Sequence, residues 1–135
     1  MADFNQRIIG EFRANNGTVA SGGFGRSLVL VHHVGARSGL ERVSPVMAIP
    51  SDGGWFIAAS KGGAPDNPAW YHNLRSTPDV VIETPDDGEV AVNAVELRGA
   101  ERDAAWELFT AKSPGFAEYE KRTDRVIPVI ELRRR

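Results

Sequence analysis

Six short apolar runs, separated for the most part by clusters of glycine, proline, asparagine and aspartate, constrain this chain more than any other feature. They fall at residues 27–34, 41–49, 55–60, 79–84, 89–97 and 126–132. Runs of this length bounded by turn residues read as strands. No strand–helix alternation repeats between them, which argues against a doubly wound parallel sheet. The expected fold is α+β and mainly antiparallel, a small barrel with peripheral helices whose closure removes exposed strand edges. At 135 residues one core suffices, so a single domain is expected over 1–135, with 1–20 as an N-terminal helix and loop.

Phe4, Ile8 and Phe12 recur every four residues with Ile9 beside them, an apolar helical stripe that Asn15-Asn16-Gly17 should stop. This helix permits three roles: ordinary packing, a lid over a site, or a peripheral membrane contact, although it lacks a basic polar face. Pro45 inside the second run predicts an edge or bulged strand, because proline donates nothing to a ladder. Asn67-Pro68 reads as an N-cap followed by proline at the first helical position, opening a short helix to about Ser76. Two further helices are expected, at about 100–112 and after Pro114.

Composition removes several chemistries. The absence of cysteine excludes disulfides, a thiolate nucleophile, cysteine-ligated iron–sulfur clusters and Cys-containing zinc sites. No serine sits in a G-x-S-x-G elbow. His32 and His33 are adjacent on a strand and point to opposite faces, and His72 stands alone, so no metal site is expected. The polar N-terminus and the lack of a long apolar run predict a cytoplasmic location. Bases do not form one stripe with stacking aromatics, which disfavours nucleic acid as a partner.

The formal charge of −2 conceals a segregation. Residues 76–120 carry eleven acids against three bases, whereas 26–75 carry five bases against three acids and 121–135 six against two. Local potential guides a charged ligand more than net charge does. The glycine-rich stretches 21–25, 35–39 and 60–63 suit either plain hairpin turns or close backbone approach to a ligand. With Arg37, Arg42 and Lys61 at strand ends, the second use would make a small receptor for anionic groups. Trp70 and Tyr71 offer aromatic walls, or ordinary core packing.

Three segments then resemble one family. Gly35-Ala36-Arg37-Ser38-Gly39-Leu40-Glu41-Arg42-Val43-Ser44-Pro45, the run from Ala59 through Lys61-Gly62-Gly63 to Trp70-Tyr71-His72-Asn73-Leu74, and Arg122 to Ile130 are similar to segments of the deazaflavin-dependent nitroreductases. The resemblance spans nearly the whole chain in consistent order. It implies a split β-barrel of the FMN-binding-like type that binds coenzyme F420, a deazaflavin with a ribityl-phosphate arm and an oligoglutamate tail. FMN is the alternative cofactor.

Carried over by position, the resemblance places Ala36, Arg37 and Ser38 by the anionic tail and Arg42, Val43 and Ser44 by the phosphate. Pro45 and Met47 would line the ring pocket, and Ala58, Ala59, Ser60 and Lys61 would contact ring and arm. Ala69, Trp70, Tyr71, His72 and Asn73 would frame the cleft. Two positions depart from the family pattern: Ala36 stands where relatives often carry a base, and Met47 where some carry an aromatic ring. The implied activity is hydride transfer from reduced F420 to a small organic acceptor, a quinone, enone or nitroaromatic. A non-catalytic F420 carrier is the competing reading. Tyr119, on the helix after Pro114, is the candidate proton donor or substrate contact, with helix packing as its alternative role. Oligomeric state is not legible.

Overall fold

The computed structural model describes residues 2–135. Its elements run α1 (Ala2–Ala14), β1 (Leu28–Val34), β2 (Glu41–Ser51), β3 (Gly54–Ala58), α2 (Ala69–Ser76), β4 (Asp79–Thr84), β5 (Gly88–Glu96), α3 (Gly99–Lys112), α4 (Pro114–Lys121) and β6 (Val129–Arg134). The six strands close into a barrel in the order β1-β2-β3-β6-β5-β4 with every neighbour antiparallel. The expected architecture is the one found.

Strand alternation sorts the apolar residues into an inside and an outside. Val29 and Val31 of β1, Val46 and Ala48 of β2, Ile57 of β3 and Leu132 of β6 meet inside the barrel. Leu28 and Leu30 face outward beneath α1, which buries Ile8, Ile9 and Phe12 against them. Covered on both faces, β1 is apolar nearly throughout. Each large aliphatic side chain buried in this way contributes about 2 kcal/mol, so the packing role of α1 is substantial. Phe4 is different: it stays half exposed, at 51%. A second outer cluster joins Trp106, Phe109 and Phe116 of α3 and α4 to Ala58 and Val129.

The stop after α1 is as expected and has a steric reason. Gly17 takes φ +93°, and a Cβ there would lie 2.5 Å from Pro85 in the β4–β5 turn. Its N–H donates to the Phe12 carbonyl at 2.7 Å, closing the helix end. Glu11 then accepts the N–H groups of Ala20 and Ser21 at 3.2 Å each and bonds the Ser21 hydroxyl, pinning the following loop.

Several boundaries differ from expectation. Helix α2 begins one residue late, with Pro68 at its N-cap position, because the Asn67 side chain accepts from Arg125 and does not cap. The third strand ends at Ala58, and the sixth starts at Val129, after Val126 has turned out to solvent and Ile127 inward. Pro45 takes the first of the two expected forms, an edge. It pairs across to Leu30 of β1, but the ladder to β3 starts only at Ala48. At Pro45, β2 is therefore an edge, and from Ala48 it is interior.

Candidate active site

The parting of β2 from β3 opens the site. Past the Ala48–Ile57 pair the two strands no longer share a ladder. Ser44 to Met47 forms one lip of a cleft of about 450 Å³, and Ala58, Ser60 and Lys61 form the other. Pro68 and Trp70 at the start of α2 close one end. Phe116 and Tyr119 of α4, with Asn5 of α1 and Phe24, complete the walls. Pro45 suits this lip because an unpaired strand edge has no use for its missing N–H.

Tyr119 packs edge-on against Phe116, with ring centroids 5.7 Å apart, and the Arg122 guanidinium lies 5.8 Å over its ring. Helix α4 can come this close only because residue 63 is glycine. At φ +81°, a Cβ on Gly63 would stand 2.7 Å from the Tyr119 carbonyl oxygen. The neighbouring Lys61 also takes a positive φ, 46°, and its ammonium pairs with Asp66 at 3.2 Å.

A second depression, about 650 Å³, lies beside the first. The 35–38 turn forms its floor, Arg42 one side, and Ala69, His72 and Asn73 the other. Among the described residues Arg37 and Arg42 make no ion pair and no side-chain hydrogen bond; both are exposed. Unpaired guanidinium groups beside a turn are suited to bidentate capture of phosphate or carboxylate. The two depressions share no lining residue but border one another along the chain: Arg42 lines the second and Ser44, on the same face of β2, the first, while Ala69 lines the second between Pro68 and Trp70 of the first.

Beneath this border lies a buried polar chain. Asn73 accepts the Ala36 N–H on Oδ1 at 2.9 Å, and its amide nitrogen lies 2.9 Å from His33 Nδ1. His33 Nε2 lies 2.9 Å from Ser44 Oγ. Burial, then the Arg42 charge, then His32 hold His33 down to about 4, so the ring is neutral near pH 7.

Most residues singled out in the sequence fall around these two depressions, but not all as a group. Lys61 sits in the first, apart from Arg37 and Arg42 in the second, so the three bases do not form one receptor. Ala59 and Tyr71 turn their side chains into the barrel core. Tyr71 donates its hydroxyl to Glu96 at 2.9 Å, and burial together with that carboxylate pushes its pKa up. Val43 faces outward and packs with the α1 cluster. Asn5 and Phe24 had no distinguishing pattern in the sequence. Nor had Arg125, whose guanidinium donates to the carbonyls of Ala59, Ser60 and Ala64 and to the Asn67 side chain, all within 3.0 Å.

The family model described as F420H(2)-dependent quinone reductase matches residues 6–133. An F420H(2)-dependent quinone reductase of Mycobacterium tuberculosis strain H37Rv is 33% identical over 109 residues, covering 79% of this chain and 73% of that protein. Among solved structures, an F420-H2 dependent reductase (FDR-A) superposes with a TM-score of 0.71 at 39% identity, covering 79% of this chain and 94% of its own. A chain described as a domain-swapped dimer superposes at 0.74 with 36% identity, covering 97% and 98%.

Proposed function

Because the chain belongs to the F420H2-dependent quinone reductase family, we propose that it passes a hydride from reduced coenzyme F420 to a quinone, enone or nitroaromatic held beside Tyr119. The observation that carries this reading is the adjacency of the two linings, Arg42 to Ser44 on β2 and Ala69 between Pro68 and Trp70. A flat aromatic cleft abuts a groove with two unpaired arginines, which suits a molecule with a ring at one end and anions at the other.

The residues present fit that coenzyme. Arg42 stands nearest the cleft for the phosphate, and Arg37, with the 36–38 turn, lies further along for the carboxylates of an oligoglutamate tail. When bound, the reduced deazaflavin supplies the hydride, and that chemistry is the coenzyme's own. The chain's part is placement and proton supply. Met47, Trp70 and Phe116 exclude water from the acceptor and hold it flat. Reduction of a quinone to its hydroquinone consumes a proton as well as a hydride, and Tyr119 holds one on Oη at the cleft wall.

Titration with F420 and with FMN, followed by turnover on a naphthoquinone, an enone and a nitroaromatic, tests the proposal. Tight F420 binding with turnover supports it. Preference for FMN overturns the cofactor, and binding without turnover on any acceptor leaves a carrier. Tyr119→Phe should lower kcat on the order of 10- to 100-fold with F420 affinity unchanged. Equal rates for both proteins at every pH would remove Tyr119 from the reaction.

A further inference from the structure

The buried chain beneath the border sets the direction of every hydrogen in it. The Ala36 N–H can only donate, so Asn73 must turn Oδ1 toward it and Nδ2 toward His33. An amide nitrogen donates, so His33 Nδ1 must accept and carries no proton. The ring proton is therefore on Nε2 and is donated to Ser44 Oγ, 2.9 Å away. Ser44 Oγ has no other partner among the described residues, so its own hydrogen is not used within the protein. Ser44 also lines the aromatic cleft, where that hydrogen is available to a ligand.

We propose that Ser44 is a dedicated hydrogen-bond donor to an accepting oxygen of the bound coenzyme, and that His33 and Asn73 are positioning residues that keep it so. This rests on the F420 reading above and extends it to two residues that do not have to touch the ligand themselves. A serine is ordinarily both donor and acceptor and can serve either kind of ligand atom. Here the relay occupies one acceptor lone pair and leaves the O–H hydrogen without a protein partner among the described residues, which biases Ser44 toward donation. The Ala36 end of the same relay lies in the basic groove, so Asn73 ties the turn beside Arg37 to the lip of the cleft. Loss of the ring's neutrality would break the relay, because an imidazolium would point Nδ1–H at the amide donor. The groups facing His33 favour neutrality: Arg42 on β2 and His32 on β1 are the charged or titratable neighbours, and Asn73 is the group that α2 presents.

The first measurement uses the free protein. In ¹⁵N NMR of the histidine side chains, His33 should show a protonated Nε2 and a bare Nδ1, with no titration between about pH 5 and 8. A protonated Nδ1, or titration in that range, overturns the proposal. The second measurement is the pH profile of F420 affinity in variants. Asn73→Asp replaces the amide donor by a carboxylate acceptor, so Nδ1 must then hold a proton. Once the ring is neutral, Nε2 is bare and captures the Ser44 hydroxyl. F420 binding by Asn73→Asp should therefore weaken about tenfold as pH rises through the new His33 transition, with no such step in the parent. Adding Ser44→Ala to that variant should erase the step. A step that survives Ser44→Ala arises from charge alone and overturns the donor role. If the parent fails to bind F420 at all, the functional reading falls while the NMR result still decides the relay.

Discussion

Arg125 illustrates how one side chain can hold a site it does not line. Four bonds of 2.7–3.0 Å run from its guanidinium to the carbonyls of Ala59, Ser60 and Ala64 and the Asn67 amide oxygen. Those acceptors span the loop from β3 to α2, the segment that carries Lys61 and Trp70 to the cleft. Burial pulls the guanidinium pKa down, with the nearby Asp66 opposing, but arginine remains charged at any relevant pH. Arg125→Ala should cost about 3 kcal/mol, given that bonds from a charged donor contribute about 1.5–3 kcal/mol each and are not additive. At this chain length that corresponds to a fall in Tm of about 10 °C, readable by thermal melts. Arg125→Lys should recover little of it, since an ammonium cannot reproduce the planar fork. A lysine variant melting with the parent would refute this account. In sequence Arg125 is one base in a segment of six bases and two acids, and nothing local distinguishes it from a solvated residue.

Helix α1 is held by more than its apolar stripe. Arg13 grips Glu83 of β4 through two bonds, at 2.8 and 3.2 Å. Glu83 in turn lies 2.7 Å from His32 Nε2, and Glu41 of β2 lies 3.0 Å from His32 Nδ1. Ionised carboxylates only accept, so both ring nitrogens must donate and His32 is an imidazolium in this arrangement. Partial burial opposes that charge, but the hydrogen bonds and charges of Glu41 and Glu83 together outweigh it and raise the His32 pKa above 6.5. A raised folded-state pKa stabilises fully below the unfolded value and is lost as pH rises through the folded one. His32→Gln should therefore lower Tm most near about pH 6, with the gap closing as pH rises past the His32 transition. A gap constant from about pH 6 to 9 would contradict the clamp. Acid acts in the opposite sense: Glu83 is held below its usual range, chiefly by Arg13, so its contribution fades as pH falls through that lowered value. The adjacent histidines thus divide by face, His33 inward and neutral, His32 outward and charged. Strand alternation predicts the division, but not which partners each ring finds.

Across the whole molecule the basic C-terminus and the acidic hairpin partly compensate one another. Arg134 of the basic C-terminus pairs with Asp87 of the acidic hairpin at 2.6 Å and lies 4.6 Å over the Trp55 ring. Arg133 pairs with Glu131, and Arg135 donates to the carbonyls of Val92 and Val80. The C-terminal bases thus fasten β6 and its end to the barrel, and among the described residues Arg37 and Arg42 make no ion pair in the groove. F420 affinity should accordingly fall as salt rises from about 0.05 to 0.5 M, a change that shortens the Debye length roughly threefold. Arg37→Ala with Arg42→Ala should flatten most of that dependence in the same titration, and an unchanged slope would place the coenzyme's anions elsewhere. The sequence by itself determined the number of strands and their antiparallel arrangement, because these depend on local periodicity and on neighbours in the chain, whereas the run from Arg42 to Met47 was marked only by resemblance to a family. The tertiary structure alone decided that β2 and β3 part at Ala48, that Ala59 and Tyr71 turn inward, and that His33, Ser44 and Asn73 join. Closing a barrel sets distances between residues up to 40 positions apart along this relay, and no local pattern records them.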